Sequence, residues 1–157
     1  MSLNRRLATV SLVVAGVAVA VVAPLAASGD PTQRLYIGMN LHFTGPDTTA
    51  GAFVASGAVA DSGTADVSDL TITPAAPADT ARLFGTETYT GQQGTIVTRF
   101  QGEAFPLSSP HEVGIGRFDI VSGTGAYADV SGQGTFEIVV DATTNQIIGT
   151  EVATVHP

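Results

Sequence analysis

The sequence contains no cysteine, no tryptophan and no lysine. Without cysteine it can form no disulfide, no thiolate metal site and no cysteine nucleophile, and it offers no sulfur for lipid attachment. Without lysine it cannot carry the phosphate-binding motif G-x-x-x-x-G-K-[ST]. Stability must therefore come from the burial of apolar side chains, for which a chain of 157 residues is long enough.

Positive charge is also scarce, since all six basic residues are arginines while fourteen residues are acidic. Arg5 and Arg6 lie at the extreme N-terminus; without them, four arginines face fourteen carboxylates, a net charge of −10. A chain this acidic is repelled by a phosphate backbone and by anionic lipid. The composition therefore predicts no nucleic-acid partner, and no membrane partner once the N-terminal segment is removed.

Residues 1–29 have the pattern of a secretory signal peptide. Two arginines precede an apolar run at Leu7–Val22, and a proline and several small residues follow it. The pattern predicts cleavage near residues 28–29 and a secreted, extracellular protein whose single domain is residues 30–157. An uncleaved N-terminal anchor is the alternative, although the apolar run is short for a membrane span.

Beyond the N-terminal segment, the hydrophobic pattern has the period of β-strands. Every odd position from Leu35 to Phe43 is apolar, which is typical of a strand with one buried face. Seven further segments have strand character. The eight predicted strands are Leu35–Phe43, Gly51–Ala60, Thr64–Ile72, Arg82–Thr90, Gly94–Phe105, Val113–Val121, Gln133–Val140 and Gln146–Val155.

Short connections separate these strands. Asp61-Ser62-Gly63 predicts a hairpin turn, and Pro74–Asp79 predicts a loop because two prolines exclude a central strand. Eight strands without an amphipathic helix favour an all-β fold, an eight-stranded antiparallel β-barrel that leaves no sheet edge. A two-sheet sandwich is the alternative. The predicted inward positions of the later strands are Ile96, Phe100, Phe118, Ile120, Phe136, Ile138 and Val140.

The opposite faces of these strands carry charged residues, and Glu87 is assigned to the same kind of face in the fourth strand. Cross-strand ion pairs on a solvated face are the simplest interpretation. The alternative is a polar lumen in which some of these residues hold a ligand. The candidate ligand-binding residues, at the barrel mouth or in the lumen, are His42, Glu87, Glu103, Asp119 and Glu137.

Motifs for catalysis or metal binding are missing. The three histidines lack the spacing of metal ligands, and Ser56 lies in V-A-S-G-A instead of the nucleophile motif G-x-S-x-G. The sequence therefore predicts no metal, no cofactor and no assignable catalytic residue.

The stretch Gly114–Gly134, GIGRFDIVSGTGAYADVSGQG, reads as a strand, a glycine-rich turn and a short bridge into the next strand. Its glycines do not have the spacing of a nucleotide-binding loop. We interpret the turn as structural: glycine permits positive φ and close approach of strands, Ala126–Val130 forms one helical turn, and Tyr127 packs the turn down.

The segment IGRFDIVSGTGAYADVSGQGTFEIV resembles the strand–SGTGAY–GxG–strand portion of small secreted actinobacterial proteins of the allene oxide cyclase barrel-like group. GAFVASGAVADSGTADV resembles a hairpin of the same proteins, and with the strands between them the two segments span most of residues 34–155. The resemblance implies an eight-stranded antiparallel barrel with an apolar lumen. In the plant members, allene oxide cyclases and dirigent proteins, that lumen binds a hydrophobic substrate and guides its cyclisation or coupling, often in an oligomer. None of their catalytic residues is carried over to a position of this chain.

Three functions stay open at this point. The first is a non-catalytic binding or structural module whose barrel is filled by side chains or holds a small hydrophobic ligand. The second is an isomerase or cyclase of the allene oxide cyclase type, and the third is an inhibitor or interaction domain that uses its loops. A homo-oligomer is a further expected partner class. If Phe100, Phe118 and Phe136 leave no cavity of about 300 Å³, the enzyme is disfavoured; carboxylates in an open lumen would favour it.

Overall fold

The computed structural model describes residues 32–77 and 79–156. The predicted signal peptide at residues 1–29 lies outside the described residues. The strands are β1 Gln33–Phe43, β2 Thr49–Gly57, β3 Asp61–Ala75, β4 Thr80–Gly91, β5 Thr95–Pro106, β6 His111–Gly123, β7 Ser131–Asp141 and β8 Gln146–His156. One turn of 3-10 helix, Gly125–Tyr127, lies between β6 and β7. Within the described ranges, no helix is long and apolar enough to cross a membrane.

The eight strands form a closed antiparallel barrel, so this fold prediction is confirmed and the two-sheet sandwich is not formed. Each strand pairs with the next one along the chain, and β1 also pairs with β8. The register of this last pair runs from Gln33 opposite Val155 to His42 opposite Gln146. Closure gives hydrogen-bond partners to the backbone groups that an open sheet would leave free at its two edges.

Alternation along each strand determines which side chains face the interior. In β1, Leu35, Ile37, Met39 and Leu41 are buried while the residues between them are exposed. The seven inward positions predicted in β5, β6 and β7 are all buried or half-buried, so that assignment is confirmed. Each fully buried aliphatic or aromatic side chain stabilises the fold by about 1.5–3 kcal/mol relative to an exposed one.

One predicted connection is wrong, and the predicted loop Pro74–Asp79 is shorter than expected because β3 extends to Ala75. Residues 61–63 do not form the turn between β2 and β3, because β2 ends at Gly57 and β3 already begins at Asp61. Gly57 has a φ of +92°, which glycine adopts without strain, so the chain reverses earlier than predicted. Pro74 lies within β3, opposite Ala81, because the missing N–H of a proline costs little near the end of a strand.

The connections lie alternately at two ends of the barrel. The β2–β3, β4–β5 and β6–β7 connections share one end, which we call the closed end. The β1–β2, β3–β4, β5–β6 and β7–β8 connections share the other, which we call the open end.

Hydrogen bonds to the side chain of Asp61 hold the closed end together. The Asp61 carboxylate accepts hydrogen bonds from the backbone N–H groups of Ser62 at 2.8 Å, Gln92 at 2.9 Å and Gln93 at 3.1 Å. The hydroxyl of Tyr127, whose side chain is buried, donates to the same carboxylate at 3.3 Å. Burial and the charge of Asp61 raise the pKa of the Tyr127 hydroxyl above its usual value. One carboxylate thus connects all three connections of this end.

The glycine-rich turn has the structural role that the sequence predicts. Gly125 has a φ of +60°, and a Cβ there would collide with the carbonyl oxygen of Gln93. The N–H of Ala126 donates to that oxygen at 2.8 Å, which docks the turn against the β4–β5 connection. The helical turn begins one residue earlier than predicted and carries Tyr127 into the barrel. The turn and its buried Tyr127 therefore help to close this end of the barrel.

Candidate ligand-binding cavity

A cavity of about 120 Å³ lies in the half of the barrel nearest the open end. Its lining is mainly aliphatic and phenylalanine side chains, with three glutamates. The lining residues are Met39, Leu41, Phe43, Thr49, Val67, Leu70, Ile72, Ala81, Leu83, Glu87, Phe100, Ala104, Glu112, Gly114, Phe136, Ile138, Val140, Ile147 and Glu151. The other half of the barrel, toward the closed end, is filled by buried side chains that include Phe118 and Tyr127.

Pairs of phenylalanine and glycine form one wall of the cavity. Phe100 lies directly opposite Gly85, and a Cβ at Gly85 would be 2.5 Å from Cζ of Phe100. Phe136 lies in the same way over Gly116 and Gly102, where a Cβ would be 2.5 and 2.6 Å from its ring. The two rings also meet edge to face, with centroids 5.8 Å apart. Because each ring covers a glycine on a neighbouring strand, it lies along the wall and leaves space in the lumen.

Glu87 and Glu151 form the floor of the cavity. Each is the cavity-lining residue of its strand that lies nearest the closed end, and the next inward residues, Tyr89 and Ala153, belong to the core below. Glu87 is on β4 and Glu151 is on β8. These strands are diametrically opposed in a ring of eight, so the two side chains reach the lumen from opposite walls.

Burial dominates the electrostatics of this floor. The side chains of Glu87 and Glu151 expose only 3% and 2% of their surface. Desolvation of the charged form raises the pKa of Glu87 to about 7. Desolvation, and then the charge of Glu87, raise the pKa of Glu151 well above its ordinary value. The floor therefore holds protons that exposed carboxylates would have lost at neutral pH.

Tyr89 lies beneath the two carboxyl groups and packs edge to face on Phe53, with ring centroids 5.2 Å apart. Its hydroxyl is near enough to each carboxyl to offset part of their pKa rise, although it completes a hydrogen bond of good geometry with neither. Burial and then the charges of Glu151 and Glu87 raise the pKa of Tyr89 well above its usual value. Tyr89 is therefore a neutral hydroxyl that can donate to one carboxyl at a time.

Several buried oxygen atoms in this region have no hydrogen-bond partner among the described residues. They are Oγ1 of Thr49, Oε1 of Glu87, Oη of Tyr89, Oγ1 of Thr98 and Oε2 of Glu151. A buried polar atom without a partner costs about 1–3 kcal/mol, and native structures contain few of them. Five in one region form a buried polar layer whose capacity for hydrogen bonds the described residues do not use.

The strand register explains why three of these groups lie together. Thr49 is opposite Val67, Val67 is opposite Glu87, and Glu87 is opposite Thr98. Three inward polar side chains therefore share one row across β2, β3, β4 and β5. The row lies between the apolar wall of the cavity and the apolar core of the closed end.

Of the five candidate ligand-binding residues predicted from the sequence, one lines the cavity and four lie on the outer surface of the barrel. Glu87 is buried and lines the cavity, so its assignment to the solvated face is wrong. The alternation Leu83, Gly85, Glu87, Tyr89 places it inward. The others are exposed on the outer surface of their strands and do not line the cavity; they are His42, Glu103, Asp119 and Glu137.

The outer face of β4, β5 and β6 places opposite charges side by side. Arg82 is opposite Glu103, and Arg99 is opposite Asp119. In residues 32–77 and 79–156, however, the one contact within 4.0 Å between a basic and an acidic side chain is that of His111 with Asp141, at 3.9 Å. The predicted cross-strand register is therefore present, but the side chains do not close into contact pairs.

Glu151 is the functional candidate that the sequence analysis missed. The signal was available, because Ile147, Gly149, Glu151, Ala153 and Val155 alternate along β8 and place a carboxylate on the same face as three apolar side chains. A single acidic residue within an otherwise apolar inward face is the pattern that identifies it.

The described residues contain no group of three or more histidine, aspartate or glutamate side chains arranged to hold a metal ion. Comparison of the chain with protein-family models, with curated proteins and with solved structures gave no match.

Proposed function

We propose that the protein is a secreted, non-catalytic β-barrel that binds a small hydrophobic ligand in the cavity at its open end. The observation that carries this proposal is a mainly apolar cavity of about 120 Å³ in a barrel whose other half is filled. A preformed concave apolar space with a few polar groups is the usual form of a small-molecule site. An apolar cavity of roughly 150 Å³ is large enough for benzene, so the expected ligand is of about that size.

Secretion and family membership belong to the same proposal. The pattern of residues 1–29 supports export, and the resemblance of the SGTGAY segment supports a relation to the allene oxide cyclase barrel-like group. The closed eight-stranded antiparallel barrel is consistent with that relation.

Methyl NMR with toluene as the probe tests the proposal. Toluene is expected to shift the methyl signals of the cavity residues Leu83, Ile138 and Ile147, and to leave those of the outward-facing Ile115 and Val121 unchanged. Shifts at all five positions, or at none, would contradict binding in the cavity. Native mass spectrometry of protein from its own culture supernatant would identify a ligand that co-purifies.

A matched pair of variants locates the binding site. Ala104 lines the cavity, and Ala104→Leu is expected to weaken toluene binding because the added methyl groups occupy the cavity. Ala52 is exposed on β2, so Ala52→Leu makes the same chemical change outside the barrel and should leave binding unchanged. Equal effects of the two variants would oppose the proposal.

An isomerase or cyclase is the second candidate, and the two carboxyl groups on the cavity floor favour it. A carboxyl whose pKa is near 7 can donate or accept a proton at neutral pH, as Glu87 would. The volume of about 120 Å³ opposes this candidate, since it is well below the roughly 300 Å³ of an ordinary substrate cleft. If a ligand recovered from the secreted protein is converted to an isomer on incubation with fresh protein, and Glu87→Gln stops the conversion, the enzyme is the correct function.

A further inference from the structure

We infer that the cavity floor binds the ammonium group of a small amine whose remaining atoms are apolar. This inference rests on the proposed function, because it assigns the chemical class of the ligand that the cavity takes. It is carried by two buried carboxyl groups that face the cavity from opposite walls, and by the unpartnered oxygen atoms that they and a threonine present there.

The first argument concerns charge. The cavity is lined by Glu87, Glu112 and Glu151, and none of the described arginines or histidines lines it. The chain has no lysine that could supply a cation. Buried charges in proteins are ordinarily paired, because an isolated one is strongly disfavoured. An ammonium group at the floor would supply the partner with which these carboxyls can ionise, and the described part of the chain offers no such cation beside them.

The second argument concerns hydrogen bonds. Oε1 of Glu87, Oε2 of Glu151 and Oγ1 of Thr49 are buried oxygen atoms of cavity-lining residues, and none has a partner among the described residues. A primary ammonium group has three N–H donors and no acceptor. Once the two carboxyls are ionised, its three donors equal in number the three oxygen atoms that can accept them. A ligand carboxylate, in contrast, has no N–H donor and would place a negative charge beside two carboxyls whose own charged forms burial already disfavours.

The third argument concerns the apolar remainder of the ligand. Above the floor, the wall consists of Phe100, Phe136 and aliphatic side chains such as Leu83 and Ile138. A molecule with one charged end and one apolar end therefore fits this cavity in a single orientation, with the ammonium group at the floor. Benzylamine has this chemistry, and its ring is the size that such a cavity admits.

Proton linkage gives the inference a second readout. The titratable groups around the floor are Glu87, Glu151 and Tyr89, with Glu112 at the exposed rim of the cavity. An ammonium group favours the charged form of the carboxyls, so its binding releases protons that the floor holds at lower pH. Benzylamine should therefore bind more tightly at pH 8 than at pH 5, whereas a neutral isostere should show little dependence on pH.

The test compares three probes of nearly equal shape, namely benzylamine, benzyl alcohol and toluene, by calorimetry at pH 8 and by the methyl NMR described above. We expect benzylamine to bind at least about tenfold more tightly than benzyl alcohol, since charge-assisted hydrogen bonds are the stronger ones. If benzyl alcohol binds as tightly as benzylamine, the ammonium inference is wrong while the proposed function stands. If none of the three probes shifts the cavity methyl signals, the proposed function itself fails.

Isosteric variants assign the effect to the floor. The double variant Glu87→Gln with Glu151→Gln keeps the shape and removes both charges, and it should abolish the preference for benzylamine while toluene still binds. The double variant Glu103→Gln with Glu137→Gln is the matched control, because both residues are exposed on the outer surface of the barrel and it also replaces two glutamates. A benzylamine preference that survives the double variant would overturn the inference, since the attraction would then come from the acidic surface as a whole.

Discussion

The two halves of this barrel are built from the same kind of strand, but they differ in whether their carboxyl groups have hydrogen-bond partners. At the closed end, the Asp61 carboxylate accepts four hydrogen bonds and links three connections. At the floor of the cavity, in the middle of the barrel, Glu87 and Glu151 are more deeply buried, yet oxygen atoms of both lack partners. A carboxylate with all its partners stabilises a fold, whereas one without them reduces stability and is available to a ligand. The contrast gives the closed end a structural role and is the reason that binding is proposed for the other half of the barrel.

The largest expected effect tests the closed end. Tyr127→Ala removes a fully buried aromatic ring and one partner of Asp61, and it should lower the free energy of unfolding by about 4 kcal/mol. Urea denaturation measures this loss. Tyr36→Ala is the control, because Tyr36 is 48% exposed on the outer face of β1 and its removal should cost less than about 0.5 kcal/mol. Similar losses in both variants would mean that Tyr127 at the closed end stabilises the fold no more than an exposed tyrosine does.

The second effect tests the floor through pH. The pKa of Glu87 is about 7 in the folded chain and near its ordinary 4.5 when unfolded, and that of Glu151 shifts in the same direction. The folded state therefore holds these protons more tightly, and this stabilisation is complete below pH 4.5 and is lost as pH rises through about 7. The pKa shift of Glu87 alone should change the free energy of unfolding by up to about 3 kcal/mol between low and high pH.

Unfolding measured by urea at several pH values between 5 and 8 should thus show the protein more stable at pH 5 than at pH 8. The double variant Glu87→Gln with Glu151→Gln stays neutral at both pH values, so its stability should change far less over this range. Stability that instead increases toward pH 8 in the unaltered chain would contradict the placement of two protonated carboxyls in the lumen.

The third and smallest effect tests the cavity wall. Gly85→Ala places a methyl group against the Phe100 ring, which must move toward the lumen. We expect the free energy of unfolding to fall by about 2 kcal/mol and toluene to bind more weakly. Gly38→Ala is the control, because no atom lies within 4 Å of a Cβ at Gly38. If both variants bind toluene equally well, the aromatic wall does not define the cavity.

Much of the fold could be predicted from the sequence because alternation is a local property. The apolar positions of β1 and the phenylalanines of β5, β6 and β7 identify the inward faces without knowledge of the partners. The exact turn between β2 and β3 was not predictable in the same way. Asp61-Ser62-Gly63 has the composition of a hairpin turn, but Asp61 is used instead to hold the β4–β5 connection more than thirty residues away. That contact exists only in the closed barrel.

The candidate site was harder to predict for a related reason. A charged residue in an alternating strand is ordinarily assigned to the solvent, which is correct for Glu103, Asp119 and Glu137 but wrong for Glu87. The neighbouring Leu83 and Phe84 are both large and apolar, so β4 alone does not indicate which face is inside. The meeting of Glu87 and Glu151 across the lumen depends on strand order in the ring and cannot be read from either strand by itself.

The pairing of β1 with β8 has a consequence for how the chain folds. It joins residues about 120 positions apart, as in the hydrogen bond between Arg34 and Thr154, whereas every other strand pair is formed by neighbours in the sequence. Contacts between distant residues form slowly because a long loop must be closed first. We therefore expect ring closure to be the late step of folding. Since Glu151 lies on the closing strand, the cavity floor and the closed ring are completed in one event, and a chain that has not closed its ring has no complete cavity.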